Sequence, residues 1–179
     1  MKKIYFDYAA TTPVDSAVEK AMKPYFSGRF GNPNSLHYFG QEARAAIDLA
    51  REKIAKSIGA KFEEIIFTGS ATEANNLALR GLTKNLKLKI KNLKPRIIVS
   101  AIEHESILET ARDLEREGVE VIYLAVNKNG IVDLKKLKNY LNDRTVLVSI
   151  MYANNEIGSI QPISEIGKII SEFKGGNIY

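Results

Sequence analysis

Apolar residues along this chain fall into two kinds of block, short continuous runs and longer stretches in which they recur every three or four positions. The short runs predict buried strands, and the longer stretches predict helices. The predicted strands are residues 65–68, 96–100, 119–126 and 145–151. The predicted helices are residues 41–58, 72–86, 105–117, 133–141 and 164–173. Strands that alternate with helices favour an α/β fold, in which a mainly parallel sheet carries helices on both faces.

The two ends of the chain depart from this alternation. Residues 1–40 are rich in Gly, Pro, Asn and Ser, so they predict an irregular N-terminal arm and loop, followed by a partial domain over residues 41–179. Residues 177–179 have the pattern of a strand that has just begun. We therefore expect the domain to continue beyond Tyr179, the alternative being a frayed terminal segment.

Composition narrows the class of protein. The chain has 179 residues, of which 45% are hydrophobic and 26% charged, as in a globular domain with a core of its own. No apolar run approaches the roughly 20 residues of a membrane span, and the N-terminus becomes acidic before any long apolar stretch, unlike a signal peptide. These features predict a cytoplasmic protein with no membrane partner.

Cysteine is absent, and only two histidines occur, His37 and His104. Disulfides, thiolate metal sites and a cysteine nucleophile from this chain are thereby excluded, and we expect no metal site. The net charge of +5 supports an anionic ligand weakly and a nucleic acid more weakly still, so we expect no nucleic acid partner. The lysine-rich stretch 84–94 is interpreted as a solvated helix end and loop.

A small-residue turn joins the predicted strand 65–68 to the predicted helix 72–86. The first N–H groups of a helix have no acceptor within it, so a phosphate could bind there, assisted by the hydroxyls of Ser70 and Thr72. The alternative is a capping box, in which Ser70 and Glu73 satisfy those N–H groups without any ligand. The lysine of a P-loop and the glycine spacing of a dinucleotide-binding turn are both missing.

Polar residues also follow two later strands. His104 lies just after the strand 96–100, where it could stack on a flat ring or transfer a proton, or else cap a helix or pair with a neighbouring glutamate. Asn154 and Asn155 follow the strand 145–151, where a plain turn would also explain them. Because the carboxyl ends of parallel strands lie along one edge of a sheet, three such clusters together favour a ligand site.

Several motifs in this order resemble the cysteine desulfurase family, which belongs to the class V aminotransferase-like, fold-type I pyridoxal phosphate enzymes. The pattern is most similar to desulfurases that serve iron–sulfur cluster assembly. The resemblance implies that the fold is an incomplete large domain of this type. The matching stretches are residues 5–13, 31–35 with His37, 67–73, 103–104 and 153–158.

The resemblance also implies roles for individual residues. Ala71 and Thr72 would hold the phosphate of pyridoxal 5'-phosphate. His104 would stack on the pyridine ring and act catalytically in proton transfer, and Asn155 would hydrogen-bond the phenolic oxygen. The residues implied on the substrate side are Asn32, Ala10 and Thr11.

Other parts of the family's site have no counterpart here. The Schiff-base lysine, the nucleophilic cysteine and the residues that bind the pyridine nitrogen and the substrate carboxylate all come later in the family's sequences. The resemblance therefore implies the N-terminal half of an enzyme that converts L-cysteine to L-alanine and transfers persulfide sulfur. We expect this half to be inactive without a C-terminal half supplied as a second chain.

Further partners implied are a second copy of the enzyme, giving a homodimer or higher assembly, and a sulfur-acceptor or scaffold protein. Two alternatives stay open. One is another class V enzyme, such as an aminotransferase or a selenocysteine lyase. The other is a non-catalytic interaction module that retains the fold.

Overall fold

The computed structural model describes residues 3–89, 94–173, 175, 178 and 179. This part of the chain divides into two compact units, Met1–Phe67 and Thr68–Tyr179. The predicted boundary between an arm and a partial large domain at residues 40 and 41 stays a prediction. Residues 90–93 of the lysine-rich stretch and residue 177 of the predicted terminal strand lie outside the described residues.

The first unit contains two α-helices, α1 (Ser16–Met22) and α2 (Tyr38–Ile58). Helix α1 begins where the side chain of Asp15 accepts a hydrogen bond from the N–H of Ala17, so the prediction of a wholly irregular arm is wrong at this point. Helix α2 confirms the predicted helix 41–58 and begins three residues earlier. It ends at Gly59, whose φ of 67° lies in the left-handed region that glycine adopts without strain.

The predicted strand 65–68 is wrong. A short 3-10 helix (Phe62–Glu64) precedes these residues, and they pair with no strand in the part of the chain that the structure describes. Ile66 and Phe67 are 67% and 48% exposed, respectively. An apolar run forms a strand only where a neighbouring strand accepts its backbone hydrogen bonds, and no such neighbour lies beside this segment among the described residues.

The second unit is built on a parallel three-stranded sheet in the order β2-β1-β3. Its strands are β1 (Arg96–Ser100), β2 (Glu120–Leu124) and β3 (Thr145–Ser149). The three remaining sequence-predicted strands are therefore confirmed, and so is the α/β fold with a parallel sheet. The central strand β1 is almost wholly buried, as its unbroken apolar sequence requires.

Four helices connect and cover these strands, as the sequence pattern predicts. They are α3 (Ala71–Lys89), α4 (Glu105–Arg116), α5 (Leu134–Tyr140) and α6 (Ile163–Glu172). Asp133 caps α5, since its side chain accepts hydrogen bonds from the N–H groups of Lys135 and Lys136. No helix among the described residues is long and apolar enough to cross a membrane.

Successive residues of β1 point to opposite faces of the sheet and so divide the core in two. Ile97 and Val99 pack in one cluster with residues of α3 and α4, among them Leu79 and Leu114. Ile98 packs in the other cluster with residues of α5 and α6. Helices therefore cover both faces, as predicted, and the carboxyl ends of β1 and β3 lie side by side at one edge.

Tyr179 extends the backbone pairing beyond β3. Its N–H donates to the carbonyl of Val146 (3.1 Å), and its carbonyl accepts from the N–H of Val148 (2.8 Å). These are the hydrogen bonds that a further strand beside β3 would make. The terminal strand itself stays a prediction.

Candidate functional site

The start of α3 forms the capping box that the sequence allows. The Ser70 hydroxyl accepts a hydrogen bond from the N–H of Glu73 (3.1 Å), and the Glu73 carboxylate accepts one from the N–H of Gly69 (2.8 Å). The Thr68 hydroxyl donates to the Ser70 carbonyl (3.0 Å) and fixes the preceding turn. This arrangement satisfies the N–H groups on either side of the helix start and holds the turn in one conformation.

Two donors at the same helix start remain available. Ala71 and Thr72 are exposed, and within the described residues no acceptor is found for their backbone N–H groups. They lie in the first turn of a 19-residue helix, where the helix dipole favours an anion. The capping box and an anion site are therefore compatible, because they use different N–H groups.

His104 is the N-cap of α4. Its Nδ1 atom accepts a hydrogen bond from the N–H of Ser106 (3.1 Å), so the neutral ring carries its hydrogen on Nε2. The Ser106 hydroxyl also lies 2.9 Å from Nδ1 and accepts a hydrogen bond from the side chain of Asn75 on α3 (2.8 Å). The ring is exposed while its orientation is set by the helix that it caps. The capping alternative is thus observed, and it leaves Nε2 and the ring face accessible.

The loops that follow β1 and β3 are joined by two hydrogen bonds. A Glu103 carboxylate oxygen accepts from the N–H of Met151 (2.6 Å), and the Asn154 side chain donates to the carbonyl of Ile102 (3.0 Å). Asn155, the next residue, is exposed, and its side-chain amide lies 3.3 Å from a Glu156 carboxylate oxygen. The segments that carry His104 and Asn155 are therefore connected directly.

The residues predicted to bind the cofactor lie in the second unit, on three segments that hydrogen bonds join to one another. The start of α3, which carries Ala71 and Thr72, is joined through Asn75 and Ser106 to His104. The loop with His104 is joined to the loop with Asn155 by the two bonds described above. The functional roles of these residues stay predictions.

The predicted substrate-side residues lie in the first unit. The N–H groups of Ala10 and Thr11 donate to the carbonyl of Asp7 (3.2 and 3.4 Å) in an exposed turn. The Asn32 side chain accepts from the N–H of Asn34 (3.0 Å) in the tight loop that precedes α2. A Cβ atom on Gly40 would overlap the carbonyl oxygen of Ser35 in this loop, so glycine is required where the loop packs on the helix. Their roles on the substrate side stay predictions.

Sequence reasoning did not predict the hydrogen bonds that link these segments. Asn75 and Ser106 contact each other although they are separated by 31 positions, and the partners Asn154 and Ile102 are separated by 52. No local pattern signals such contacts. The available signals were the adjacency of Asn154 to Asn155 and of Glu103 to His104, each after a predicted strand.

Glu103 is the one described group of this site whose acid–base properties are clearly altered by the fold. Burial raises the pKa of its carboxyl above the ordinary value, and the hydrogen bond from the Met151 N–H offsets part of the effect. Among the described residues, Glu103 has no salt-bridge partner that would compensate its charge.

Replacing Glu103 with glutamine should change how stability depends on pH. A raised pKa means that the folded chain holds the proton more tightly than the unfolded chain, so this contribution to stability is full at low pH and is lost as pH rises through the folded pKa. Glutamine keeps the acceptor oxygen and does not titrate. The unfolding free energy of Glu103→Gln relative to wild type should therefore rise as pH increases above the ordinary pKa of a glutamate, as measured in urea titrations. A constant or falling difference would contradict this account.

The comparisons with known proteins agree with this geometry. The sequence profile of the class V aminotransferases matches residues 4–177. The chain belongs to the class V aminotransferase family. It is 51% identical over 172 residues to the cysteine desulfurase IscS of Dictyoglomus turgidum, covering 96% of this chain and 43% of that protein. It is 52% identical over 170 residues to IscS of Rickettsia massiliae, covering 94% and 40%.

Solved structures also match this chain over most of its length. A NifS-like protein matches with a TM-score of 0.91 and 39% identity, covering 98% of this chain and 47% of that one. A structure described as SspA in complex with cysteine matches with a TM-score of 0.85 and 41% identity, covering 94% and 47%. The resemblance to cysteine desulfurases is therefore confirmed. The chain spans less than half the length of these relatives.

Proposed function

We propose that this chain is one part of a pyridoxal phosphate-dependent cysteine desulfurase, which converts L-cysteine to L-alanine and passes the sulfur on as a persulfide. The observation that carries the proposal is the pair of available N–H groups at Ala71 and Thr72, joined by hydrogen-bonded segments to His104 and Asn155. Similarity to cysteine desulfurases over nearly the whole chain supports it.

The backbone and side-chain groups of these residues fit the cofactor. The Ala71 and Thr72 N–H groups and the Thr72 hydroxyl are suited to hold its phosphate, because a helix start favours an anion. The exposed His104 ring offers a face for stacking, and the Asn155 amide can donate to the phenolic oxygen. When bound, the cofactor supplies an electron sink. Nε2 of His104 is the atom at which this chain would hold and transfer a proton.

The sulfur-accepting thiolate must come from other residues, because this chain contains no cysteine. In the proposed reaction the C–S bond of L-cysteine breaks, an S–S bond to the thiol forms, and the substrate's carbon takes a proton to give L-alanine. We propose that a C-terminal half, as a second polypeptide, supplies that cysteine and the Schiff-base lysine. The proposed assembly is a cytoplasmic homodimer or larger oligomer that delivers sulfur to an acceptor or scaffold protein.

Reconstitution tests the proposed function. This chain would be mixed with pyridoxal phosphate and the C-terminal part of the Dictyoglomus turgidum relative, and alanine and sulfide would be measured after addition of L-cysteine and a reductant. We expect both products from the mixture and neither from the separate polypeptides. A mixture whose second polypeptide has its nucleophilic cysteine replaced by alanine is the matched control.

Other results would contradict the proposal in different ways. Alanine production by this chain alone would exclude the need for a second half. A mixture that transfers the amino group to a keto acid, or that uses L-selenocysteine and not L-cysteine, would indicate another class V activity. A mixture that binds the cofactor and acts on none of these substrates would favour a non-catalytic role.

A further inference from the structure

The two hydrogen bonds between the loops after β1 and β3 run in opposite directions. Glu103 on the first loop accepts from the backbone of the second, and Asn154 on the second loop donates to the backbone of the first. Strands β1 and β3 are neighbours in the sheet, with Val99 opposite Ser149, so the two loops leave the sheet side by side. We call this pair of bonds the loop staple.

The orientation of Asn154 within the loop staple is fixed. Its side-chain oxygen accepts from the N–H groups of Glu156 (2.8 Å) and Ile157 (3.0 Å), while its nitrogen donates to Ile102. A flipped amide would place the NH₂ group against two N–H donors. The residue is only 9% exposed, and a buried amide without partners is costly, so the observed orientation is strongly favoured.

The loop staple lies directly beside the two proposed cofactor residues on its loops. Glu103 immediately precedes His104, and Asn154 immediately precedes Asn155. Neither Glu103 nor Asn154 belongs to the two apolar clusters of the core. The staple therefore sets the position of one loop tip relative to the other, whereas the sheet and helices are held by their own packing.

We propose that Glu103 and Asn154 are positioning residues, which hold His104 and Asn155 in a fixed mutual position before the cofactor binds. This inference rests on the proposed function. A preorganised pair of loops binds its ligand more tightly because less freedom is lost on binding. Displacement of one loop by about 1 Å would misplace the ring stack relative to the phenolic oxygen and reduce both affinity and rate.

The test combines amide hydrogen exchange of the full chain with binding of pyridoxine 5'-phosphate. This ligand keeps the phosphate, ring and phenolic oxygen and has no aldehyde to react with surface lysines. Glu103→Ala removes the acceptor for Met151. We expect exchange at Glu156 and Ile157, whose N–H groups are bound to Asn154 and not to Glu103, to rise about tenfold, and affinity to fall about tenfold. Glu103→Gln, which keeps the acceptor oxygen, should restore both.

Two further variants separate positioning from folding. Asn154→Asp keeps the acceptor for Glu156 and Ile157 and removes the amide nitrogen, which donates to the Ile102 carbonyl and, within its own loop, to the Met151 sulfur. The bond to Ile102 is the one that joins the two loops, so its loss should accelerate exchange of the Ser106 N–H, which is bound to His104. Asn142→Ala is the matched control, because Asn142 accepts from the N–H of Arg144 in the turn before β3, at the opposite end of that strand. It should destabilise that turn without changing exchange at the loop tips or affinity.

Each outcome decides the inference. If Glu103→Ala accelerates exchange at Met151 alone, or if Asn154→Asp leaves Ser106 unchanged, the staple does not couple the loops and the inference is wrong. Loss of affinity in Asn142→Ala equal to that in Glu103→Ala would show a general effect of destabilisation and would also overturn it. A wild-type chain that binds no pyridoxine 5'-phosphate contradicts the proposed function instead, and the exchange data then decide whether the staple exists.

Discussion

A chain that carries Ala71→Asp should bind pyridoxine 5'-phosphate about a hundredfold more weakly than wild type, since like charges about 4 Å apart near a protein surface repel by roughly 1–4 kcal/mol. The same carboxylate lies in the first turn of α3, where negative charge favours the helix. The stability of the helix should therefore be unchanged or raised, whereas the affinity for pyridoxine 5'-phosphate should fall. Isothermal titration and urea unfolding of the same sample measure the two effects.

The neutral variant Ala71→Asn is the matched control for charge, because it has nearly the same size. It should lose much less affinity than Ala71→Asp. If both variants bind the ligand as wild type does, the start of α3 is only a capped helix and holds no phosphate. If both lose stability along with affinity, the effect is not electrostatic.

The second large effect is expected at His104, where one side chain has both a structural and a proposed catalytic role. His104→Asn keeps a side-chain acceptor for the N–H of Ser106 and removes the ring. In the reconstituted enzyme we expect alanine formation to fall by about a hundredfold or more, the usual contribution of a general acid–base group. The stability of the chain should change little. Turnover assays and thermal unfolding measure these two quantities.

The opposite substitution separates the two roles of His104. His104→Phe keeps an aromatic ring for stacking and removes the acceptor at the start of α4, so it should cost about 1 kcal/mol of stability. Its affinity for pyridoxine 5'-phosphate should exceed that of His104→Asn. Equal turnover in His104→Asn and wild type would show that His104 is only a helix cap.

The strands and helices that the sequence predicts correctly are those whose pattern of apolar residues matches the faces that they bury. Strand β1 reads as a continuous apolar run because both of its faces are covered. The segment 65–68 has the same kind of pattern, and the prediction failed there because strand formation depends on a neighbour that local sequence does not reveal. Helix α1 was missed because it is short and has no buried residue to give it a periodic apolar face.

The sequence predicts the local features of the candidate site. It does not predict the contacts between residues that are far apart in the chain. The capping box of Ser70 and Glu73 follows from residue types three positions apart, and the structure shows it. The bond from Asn154 to Ile102 joins residues 52 positions apart, so it follows only from the order of β1 and β3 in the sheet. The positioning residues therefore came from the structure, although the strand ends that carry them were visible in the sequence.

The proposed function requires one ligand site, built from the start of α3 and the loops after β1 and β3. Its existence can be measured by titrating the full chain with pyridoxine 5'-phosphate and following the amide NMR signals. We expect the signals of Ala71, Thr72, His104 and Asn155 to shift together and to saturate at one dissociation constant. Shifts confined to a single one of these segments, or spread over surface lysines without saturation, would contradict it.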